Sequence, residues 1–214
     1  MPRHTAITAF DLDNTLLKDN SSFKFGLYLC KKGHLPFSSL LFILGCRLRF
    51  CMGFISLEKL HVIAFYRLFF GLSESLVKRL AQEFLVLHFE SLIYLPAFKK
   101  LREAQQIGHL TVLLSSSPDF LVEPIAQKLN ISIWDSTRYK SDGSHQFSRI
   151  SQIMLGDKKA LFIKELRQRL QLHVCAYSDS HHDLPFLLAA ESAVGVNPDR
   201  KLRAICKSSQ WSII

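Results

Sequence analysis

Apolar and polar positions divide the chain into two parts with different periodicities. Residues 5–10 form a short apolar run that ends at acidic residues, which predicts a buried first strand. Residues 21–92 then contain few helix breakers, and their apolar residues recur at helical spacing. We expect a series of helices in this stretch, with the apolar stripes facing a core rather than a ligand.

From residue 96 onward, short apolar runs alternate with amphipathic stretches. Helices are predicted at residues 96–106, 118–129, 157–170, 181–190 and 198–208, and strands at residues 109–114, 131–139, 145–150, 173–177 and 192–196. A Ser-Asp-Gly segment at residues 141–143 predicts a hairpin turn. This order of elements predicts an α/β fold, in which a parallel sheet carries helices on both faces.

The helical stretch after the first strand then becomes an insertion into the α/β core. We expect a core domain of residues 1–18 and 95–214 and a helical cap domain of residues 19–94. Such a cap stands over the carboxyl ends of the parallel strands, where open α/β sheets bind their ligands.

Composition narrows the class of protein. With 214 residues, of which 48% are hydrophobic, the chain is long enough to build a core and too apolar to be disordered. Five cysteines without a CxxC pair argue against a disulfide framework or a zinc ribbon. Residues 1–10 lack the apolar region of a signal peptide, and the apolar run at residues 35–46 has about half the length of a membrane span. We therefore expect a cytoplasmic protein.

Carboxylates follow two of the predicted strands. Asp11 and Asp13 come directly after the first strand, and Asp179 and Asp183 follow the strand at residues 173–177. Asp179 and Asp183, together with Asp11, predict an all-oxygen cation site of the kind that Mg²⁺ prefers. Taken alone, however, the first pair is more typical of a solvated loop or a helix N-cap. The intervening histidines 181 and 182 have no HExxH or CxxC partner, so we interpret them as surface residues beside the site.

Two further motifs lie at predicted helix starts. Ser115, Ser116 and Ser117 precede a helix, where backbone N–H groups and the positive helix end favour an anion. Lys158 and Lys159 lie early in another helix, where a positive charge opposes the helix dipole unless a phosphate is bound. Each motif is weak alone, because serines before helices and lysines on surfaces are common.

In this order, the four motifs resemble the haloacid dehalogenase superfamily of aspartyl phosphotransferases. The segments SPDFLVEPIA and YSDSHHDLPFL are similar to its subfamily IB, which contains phosphoserine phosphatases and related enzymes with a small helical cap of the C1 type after the first motif. The resemblance covers nearly the whole chain and implies a Rossmann-like core. It also implies a phosphoric monoester hydrolase, namely a Mg²⁺-dependent phosphatase that acts on a small phosphorylated substrate through an aspartyl-phosphate intermediate.

The resemblance implies a role for each motif residue. The implied catalytic residues are Asp11, the nucleophile, and Asp13, the general acid and base. The implied phosphate-binding residues are Ser115, Ser116 and Lys159, with Lys159 preferred to its neighbour because the family spacing is G-x-x-K. The implied Mg²⁺ ligands are Asp11, Asp13 through its backbone carbonyl, Asp179 and Asp183.

Three segments depart from the family pattern. Ser178 replaces the glycine of the GDxxxD motif, but serine is small enough for a tight turn. Phosphoserine phosphatases carry a Glu for the substrate ammonium where this chain has Asn20, and Ser-Gly-Gly where this chain has three serines from Ser115. We therefore expect the phosphatase chemistry to hold but phosphoserine not to be the best substrate.

The excess of positive charge and the apolar residues in the predicted cap leave other functions open. Residues 18–100 carry 12 Lys and Arg against 5 Asp and Glu, and residues 35–54 combine apolar side chains with two arginines. A lipid-phosphate phosphatase, a true phosphoserine phosphatase and a phosphotransferase remain alternatives, as does a non-catalytic membrane-surface or nucleic-acid-binding protein of the same fold. Four converging carboxylates argue against the last. We expect no nucleic-acid partner. The apolar residues of the basic cap have two interpretations: they pack the cap helices together, or they contact an anionic membrane.

Overall fold

The computed structural model describes residues 4–214. Its strands are β1 (Ile7–Phe10), β2 (Leu110–Pro118), β3 (Ile133–Ser141), β4 (Phe147–Gln152), β5 (Val174–Ser178), β6 (Ser192–Gly195) and β7 (Ser212–Ile213). They form one sheet in the order β4-β3-β2-β1-β5-β6-β7, and β4 pairs with β3 in antiparallel fashion. The other pairs are parallel, so the predicted α/β fold with a mostly parallel sheet is confirmed.

Helices cover both faces of this sheet. They are α1 (Ser21–Lys31), α2 (Phe37–Cys51), α3 (Leu57–Leu68), α4 (Glu74–Leu92), α5 (Leu95–Gln106), α6 (Asp119–Lys128), α7 (Gly156–Leu170), α8 (Leu184–Leu188) and α9 (Arg200–Ser208). Phe10 of β1 lies in one apolar cluster with α5 and α6, whereas the adjacent Ala9 lies in a second cluster with α7, α8 and α9. Alternate side chains of a central strand are thus buried on opposite faces. In the part of the chain from residue 4 onward, no helix is both long enough and apolar enough to cross a membrane.

Helices α1 to α4 form the expected insertion after β1, and the two segments that join them to the sheet run side by side. The Lys18 N–H donates to the Leu92 carbonyl at 2.7 Å, and the Tyr94 N–H donates to the Leu16 carbonyl at 2.9 Å. These contacts lie next to the expected domain boundaries. The division into core and cap domains stays a prediction, and residues 1–3 of the expected core lie outside the described residues.

The insertion shares its apolar interior with the sheet. The Phe65 ring of α3 meets the Tyr139 ring of β3 edge-on, with 4.6 Å between centroids. After α3, the Gly71 N–H donates to the Phe147 carbonyl at 2.8 Å, which ties the chain to the β3–β4 hairpin. Linkers at one side and the hairpin at the other therefore hold the four helices in a defined position over the sheet.

The predicted elements differ from the observed ones mainly at their ends. Strand β1 begins two residues later than the prediction, and β2 continues to Pro118 because a bulge lets the serine run keep pairing with β3. The predicted helix at residues 181–190 is instead a 3₁₀ turn at His181–Asp183 followed by α8, whose first turn contains Pro185. Strand β7 was not predicted, because two residues carry no periodicity.

Candidate active site

Neighbouring parallel strands end at one edge of the sheet and bring polar side chains together there. Phe10 of β1 lies opposite Leu113 of β2 and Tyr177 of β5, so β1 and β5 end at nearly the same level, and β2 continues past them through the serine run. The Asp11 N–H donates to the Tyr177 carbonyl at 2.9 Å, which continues the pairing by one residue. This edge carries three of the four predicted motifs, the two acidic pairs and the serine run.

The chain turns sharply after β1. Residues Leu12–Leu16 form one wide turn in which Asn14 has a positive φ of 58°. Asparagine tolerates this left-handed conformation better than most residues do. The turn buries Leu12 and Leu16 in the core and returns Asp13 to the edge of the sheet. Two carboxylates spaced two residues apart therefore reach the same edge.

Lys159 is the buried cation of this region. Its side chain extends from the first turn of α7 and is only 2% exposed. Its Nζ donates to Oδ1 of Asp11 at 2.6 Å and to Oδ2 of Asp183 at 2.8 Å. Ser178 also donates to that Asp183 oxygen, at 2.8 Å. The adjacent Lys158 is exposed, so only one of the two lysines reaches the predicted carboxylates.

Negative charge is crowded around this lysine. Burial raises the pKa of Asp11 well above its usual value, Lys159 opposes the rise, and Asp183 and Asp179 add to it. Burial and the charge of Asp183 raise the pKa of Asp179 to about 7. Burial alone would lower the pKa of Lys159, but Asp11 and Asp183 more than reverse that effect. A further cation at this edge would relieve the repulsion between the carboxylates.

Asp13 lies among hydrogen-bond donors rather than beside the lysine. The Ser21 N–H donates to its Oδ1 at 2.8 Å, and the Ser117 hydroxyl donates to its Oδ2 at 2.6 Å. The Asn20 side-chain amide donates to Oδ2 at 3.2 Å. Burial raises the pKa of Asp13, although the bonds from Ser117 and Ser21 oppose the rise. A carboxyl group of this kind keeps its proton to higher pH than an exposed one does, as a general acid requires.

Sequence reasoning missed Ser117. It selected Ser115 and Ser116, whereas the structure places Ser115 under the bulge of β2, where its hydroxyl accepts from the Ser117 N–H at 3.1 Å. Ser116 is partly exposed. Ser117 is 2% exposed and contacts Asp13 as well as the Ser22 hydroxyl of α1, 2.7 Å away. A bulge re-aims side chains without leaving a sequence signal beyond the serine run itself.

The insertion also brings residues to this edge. The Phe50 ring of α2 lies 5.2 Å from the His182 ring of the loop after β5. On α3, His61 lies on the same helical face as the buried Phe65 and Leu68, one and two turns before them. Burial, together with the positive charge of Lys159, lowers the pKa of His61 to about 4. The imidazole of His61 is therefore neutral at pH 7 and lies within range of the charge of Lys159. Its helical spacing was the signal that sequence reasoning overlooked.

The donor chemistry of the site fits Mg²⁺. Its acidic groups are all carboxylates: Asp11 and Asp183 contact Lys159, and its charge also acts on Asp13 and Asp179. Across residues 4–214, however, no three His, Cys, Asp or Glu side chains are gathered closely enough to hold a metal ion. Lys159 lies between two of the carboxylates, and the Thr15 hydroxyl binds Asp179 at 3.2 Å. Metal ligation by this set therefore stays a proposal.

The predicted surface histidines have partners of their own. His181 Nδ1 lies 2.8 Å from the carboxylate of Asp199, the N-cap of α9, and the His181 N–H donates to the same oxygen at 2.8 Å. The His182 ring packs against the His181 ring at a tilt of 39°, with 3.9 Å between ring centroids. These contacts direct the His181 ring toward α9 and away from the carboxylate cluster.

Gly156 is required where α7 packs against the loop after β5. A Cβ atom there would lie 2.2 Å from the His182 carbonyl oxygen and 3.3 Å from the Asp183 Cα, both of which are backbone atoms. We expect Gly156→Ala to push α7 away from Asp183, lowering the free energy of unfolding by about 1–3 kcal/mol and weakening the contact between Lys159 and Asp183. Urea denaturation and steady-state kinetics measure both effects.

The matched control is Gly143→Ala, because a Cβ at Gly143 meets nothing within 4 Å. This variant should resemble the wild type. A Gly156→Ala protein with unchanged stability and turnover would contradict the close packing described here.

Comparison with known proteins identifies the family. The sequence profile of the haloacid dehalogenase-like hydrolases matches residues 8–188. A phosphoserine phosphatase of Mycobacterium tuberculosis is 28% identical over 98% of this chain and 70% of its own length. A histidinol-phosphatase of Neisseria meningitidis is 25% identical over 97% of each chain.

Solved structures share the fold. A Bordetella pertussis protein of unknown function superposes with a TM-score of 0.86 at 20% identity, over 99% of this chain and 98% of its own. A phosphoserine phosphatase solved as an analogue of its phospho-aspartyl intermediate superposes with a TM-score of 0.69 at 14% identity, over 98% and 92% of the two chains.

The chain therefore belongs to the haloacid dehalogenase-like hydrolase family. The predictions of this family, of its phosphoserine phosphatase-like fold and of an enzyme related to phosphatases are confirmed.

Proposed function

We propose that this protein is a phosphatase that hydrolyses phosphate monoesters through an aspartyl phosphate on Asp11. The observation that carries the proposal is the buried bridge from Lys159 to Asp11 and Asp183 at the carboxyl ends of β1 and β5. Burying these charges costs free energy, which a purely structural or docking protein has no reason to retain. The non-catalytic alternative is disfavoured for that reason.

Asp11 is the proposed nucleophile. Its carboxylate oxygen attacks phosphorus, a new O–P bond forms, and the bond from phosphorus to the substrate oxygen breaks. Lys159 lies 2.6 Å from Asp11, so its positive charge offsets the repulsion between the carboxylate and the phosphate. We assign the phosphoryl oxygens to Lys159 and to the polar groups of Ser115 and Ser116 at the end of β2.

Asp13 is the proposed general acid and base. Its raised pKa keeps a proton available for the leaving alkoxide, and the resulting carboxylate then accepts a proton from the water that hydrolyses the acyl phosphate. The Ser21 N–H fixes one of its oxygens, while Ser117 and Asn20 donate to the other. These contacts hold the carboxyl group in one orientation through both steps.

The proposed Mg²⁺ ligands are Asp11, the Asp13 carbonyl, Asp179 and Asp183. The charge of the ion would further offset the repulsion between the phosphate and Asp11.

We expect hydrolysis of p-nitrophenyl phosphate to be lost with EDTA and restored by Mg²⁺ or Mn²⁺. Ca²⁺ should inhibit, because its looser coordination disturbs the attack geometry. The control is His181→Ala combined with His182→Ala, which should keep the metal preference. If zinc gives the highest turnover and the double variant removes it, this metal assignment is wrong.

Asn20 argues against phosphoserine as the best substrate. Its Oδ1 accepts from the Phe23 N–H at 2.8 Å as the N-cap of α1, and its amide donates to Asp13. The side chain is neutral and engaged, so it supplies no counter-charge for a substrate ammonium. The relatives are named for phosphoserine and for histidinol phosphate, which are different substrates.

We therefore expect phosphoserine to have a kcat/KM at least about tenfold below that of the best substrate, the effect of one missing charged contact. A panel of phosphoserine, histidinol phosphate, lysophosphatidate, phosphatidylglycerophosphate and sugar phosphates measures this. A far higher kcat/KM for phosphoserine than for the others would overturn the argument from Asn20. Preference for the two lipids would support the lipid-phosphate alternative.

A further inference from the structure

Helix α2 exposes an apolar face, which we call the α2 face. Its side chains are large and more than half exposed: Phe37 (58%), Leu41 (56%), Leu44 (52%) and Leu48 (60%). Intervals of four, three and four residues place them on one side of the helix. Three other residues of α2 are buried against the rest of the protein: Ser39, Leu40 and Cys46. The helix packs on the protein through those residues, so the four side chains of the α2 face take no part in the packing of the cap helices.

Further large apolar side chains are exposed in the segment that follows the α2 face. Met52 and Phe54 follow α2 with exposures of 54% and 70%. Tyr66 and Phe70, on and just after α3, have exposures of 57% and 53%. Monomeric soluble proteins rarely leave so many large apolar side chains exposed within one short segment, and such patches mark interaction sites.

Positive charge surrounds these side chains. Residues 24–70 contain seven Lys and Arg but a single acidic residue, Glu58. At 100° per residue, Arg47 and Arg49 project at roughly 100° to either side of the apolar stripe. The Arg67 guanidinium of α3 lies 5.4 Å from the centroid of the Phe42 ring. An apolar stripe flanked by arginines is the pattern of helices that lie in a lipid interface.

We propose that the α2 face docks this protein onto an anionic lipid bilayer. The four side chains of the face enter the boundary between headgroups and acyl chains, while Arg47 and Arg49 meet lipid phosphates. A second copy of the chain fits less well, because pairing two α2 faces brings the arginines of both copies together. Nucleic acid would satisfy the charge but leave the apolar stripe in water. The proposal is independent of the reaction that the site catalyses.

The test is cosedimentation of the full chain with vesicles of phosphatidylcholine alone or with 30% phosphatidylglycerol, which is roughly an anionic leaflet. The wild type should bind the anionic vesicles and release as salt rises. Leu44→Glu with Leu48→Glu should weaken this binding at least about tenfold, because two charges enter the interface. The matched control is Leu161→Glu with Leu188→Glu, exposed leucines of α7 and α8, which should bind as the wild type does. Circular dichroism checks that each variant is folded.

Three outcomes would overturn the proposal. The wild type does not bind anionic vesicles, or its binding survives the change at Leu44 and Leu48 in folded protein. In the third outcome, light scattering shows a dimer that the same change dissociates while vesicles remain unbound, which assigns the α2 face to a second copy. Loss of binding on Arg47→Gln with Arg49→Gln, alongside retention in the control, would support the assignment to anionic lipid.

Discussion

Asp11→Asn should abolish hydrolysis and leave the protein folded. The amide is a far poorer nucleophile than the carboxylate, so we expect kcat to fall by at least about 10⁴-fold. Lys159 keeps its contact with Asp183 at 2.8 Å, so the buried ion pair is retained in part. Steady-state hydrolysis of p-nitrophenyl phosphate in Mg²⁺ measures the loss, and circular dichroism with urea denaturation measures folding.

The matched control is Asp157→Asn, which makes the same change on an exposed residue in the first turn of α7. Its turnover should stay within about twofold of the wild type, as expected of a surface substitution. Activity that persists in a folded Asp11→Asn protein would remove Asp11 from the reaction, whatever the other residues do.

Lys159→Met should lower both stability and activity, whereas Lys158→Met should change neither. The two lysines are adjacent, but one is buried against Asp11 and Asp183 and the other is exposed. Removing one partner of a buried ion pair leaves uncompensated charge, so we expect the free energy of unfolding to fall by about 3–5 kcal/mol. Turnover should fall by at least about 10²-fold, because the phosphate loses its nearest cation.

Urea denaturation of the two variants in parallel measures the difference in stability, and p-nitrophenyl phosphate hydrolysis measures the difference in rate. Equal stability of the two variants would mean that the buried bridge contributes nothing to the fold. If Lys159→Met keeps wild-type turnover, Lys159 does not act on the phosphate.

The sequence predicts the fold well because its signals are local. Short apolar runs alternating with amphipathic stretches specify strands and helices in order, and this order allows few topologies. The resemblance to the family also selects Lys159 over Lys158 through the G-x-x-K spacing, and the structure supplies a physical reason for that spacing. Gly156 lets α7 approach the His182 carbonyl. Lys159, three residues later and about one helical turn along, then reaches the carboxylates.

The remaining parts of the site depend on contacts between distant segments. Ser117 reaches Asp13 through a bulge in β2, and the hydroxyl of Ser22 comes from a helix nearly a hundred residues earlier. The charge of Lys159 acts on His61 only because α3 packs on the sheet through Phe65. No periodicity in the sequence reports such pairings, since each side chain alone is typical of a surface or a helix cap.

The most direct test of the mechanism is capture of the covalent intermediate. Wild-type protein is mixed with ³²P-labelled substrate and quenched in acid within the first turnover, and the quenched protein is divided into two portions. One portion is counted for protein-bound ³²P. The other is reduced with borohydride, which releases the phosphate and converts an aspartyl phosphate to homoserine, and is then digested for mass spectrometry. We expect ³²P on the first portion and the reduced side chain at Asp11 in the second, and neither of them in Asp11→Asn. A reduced side chain at any other residue, or steady hydrolysis with no ³²P-labelled protein at any quench time, would contradict nucleophilic catalysis by Asp11.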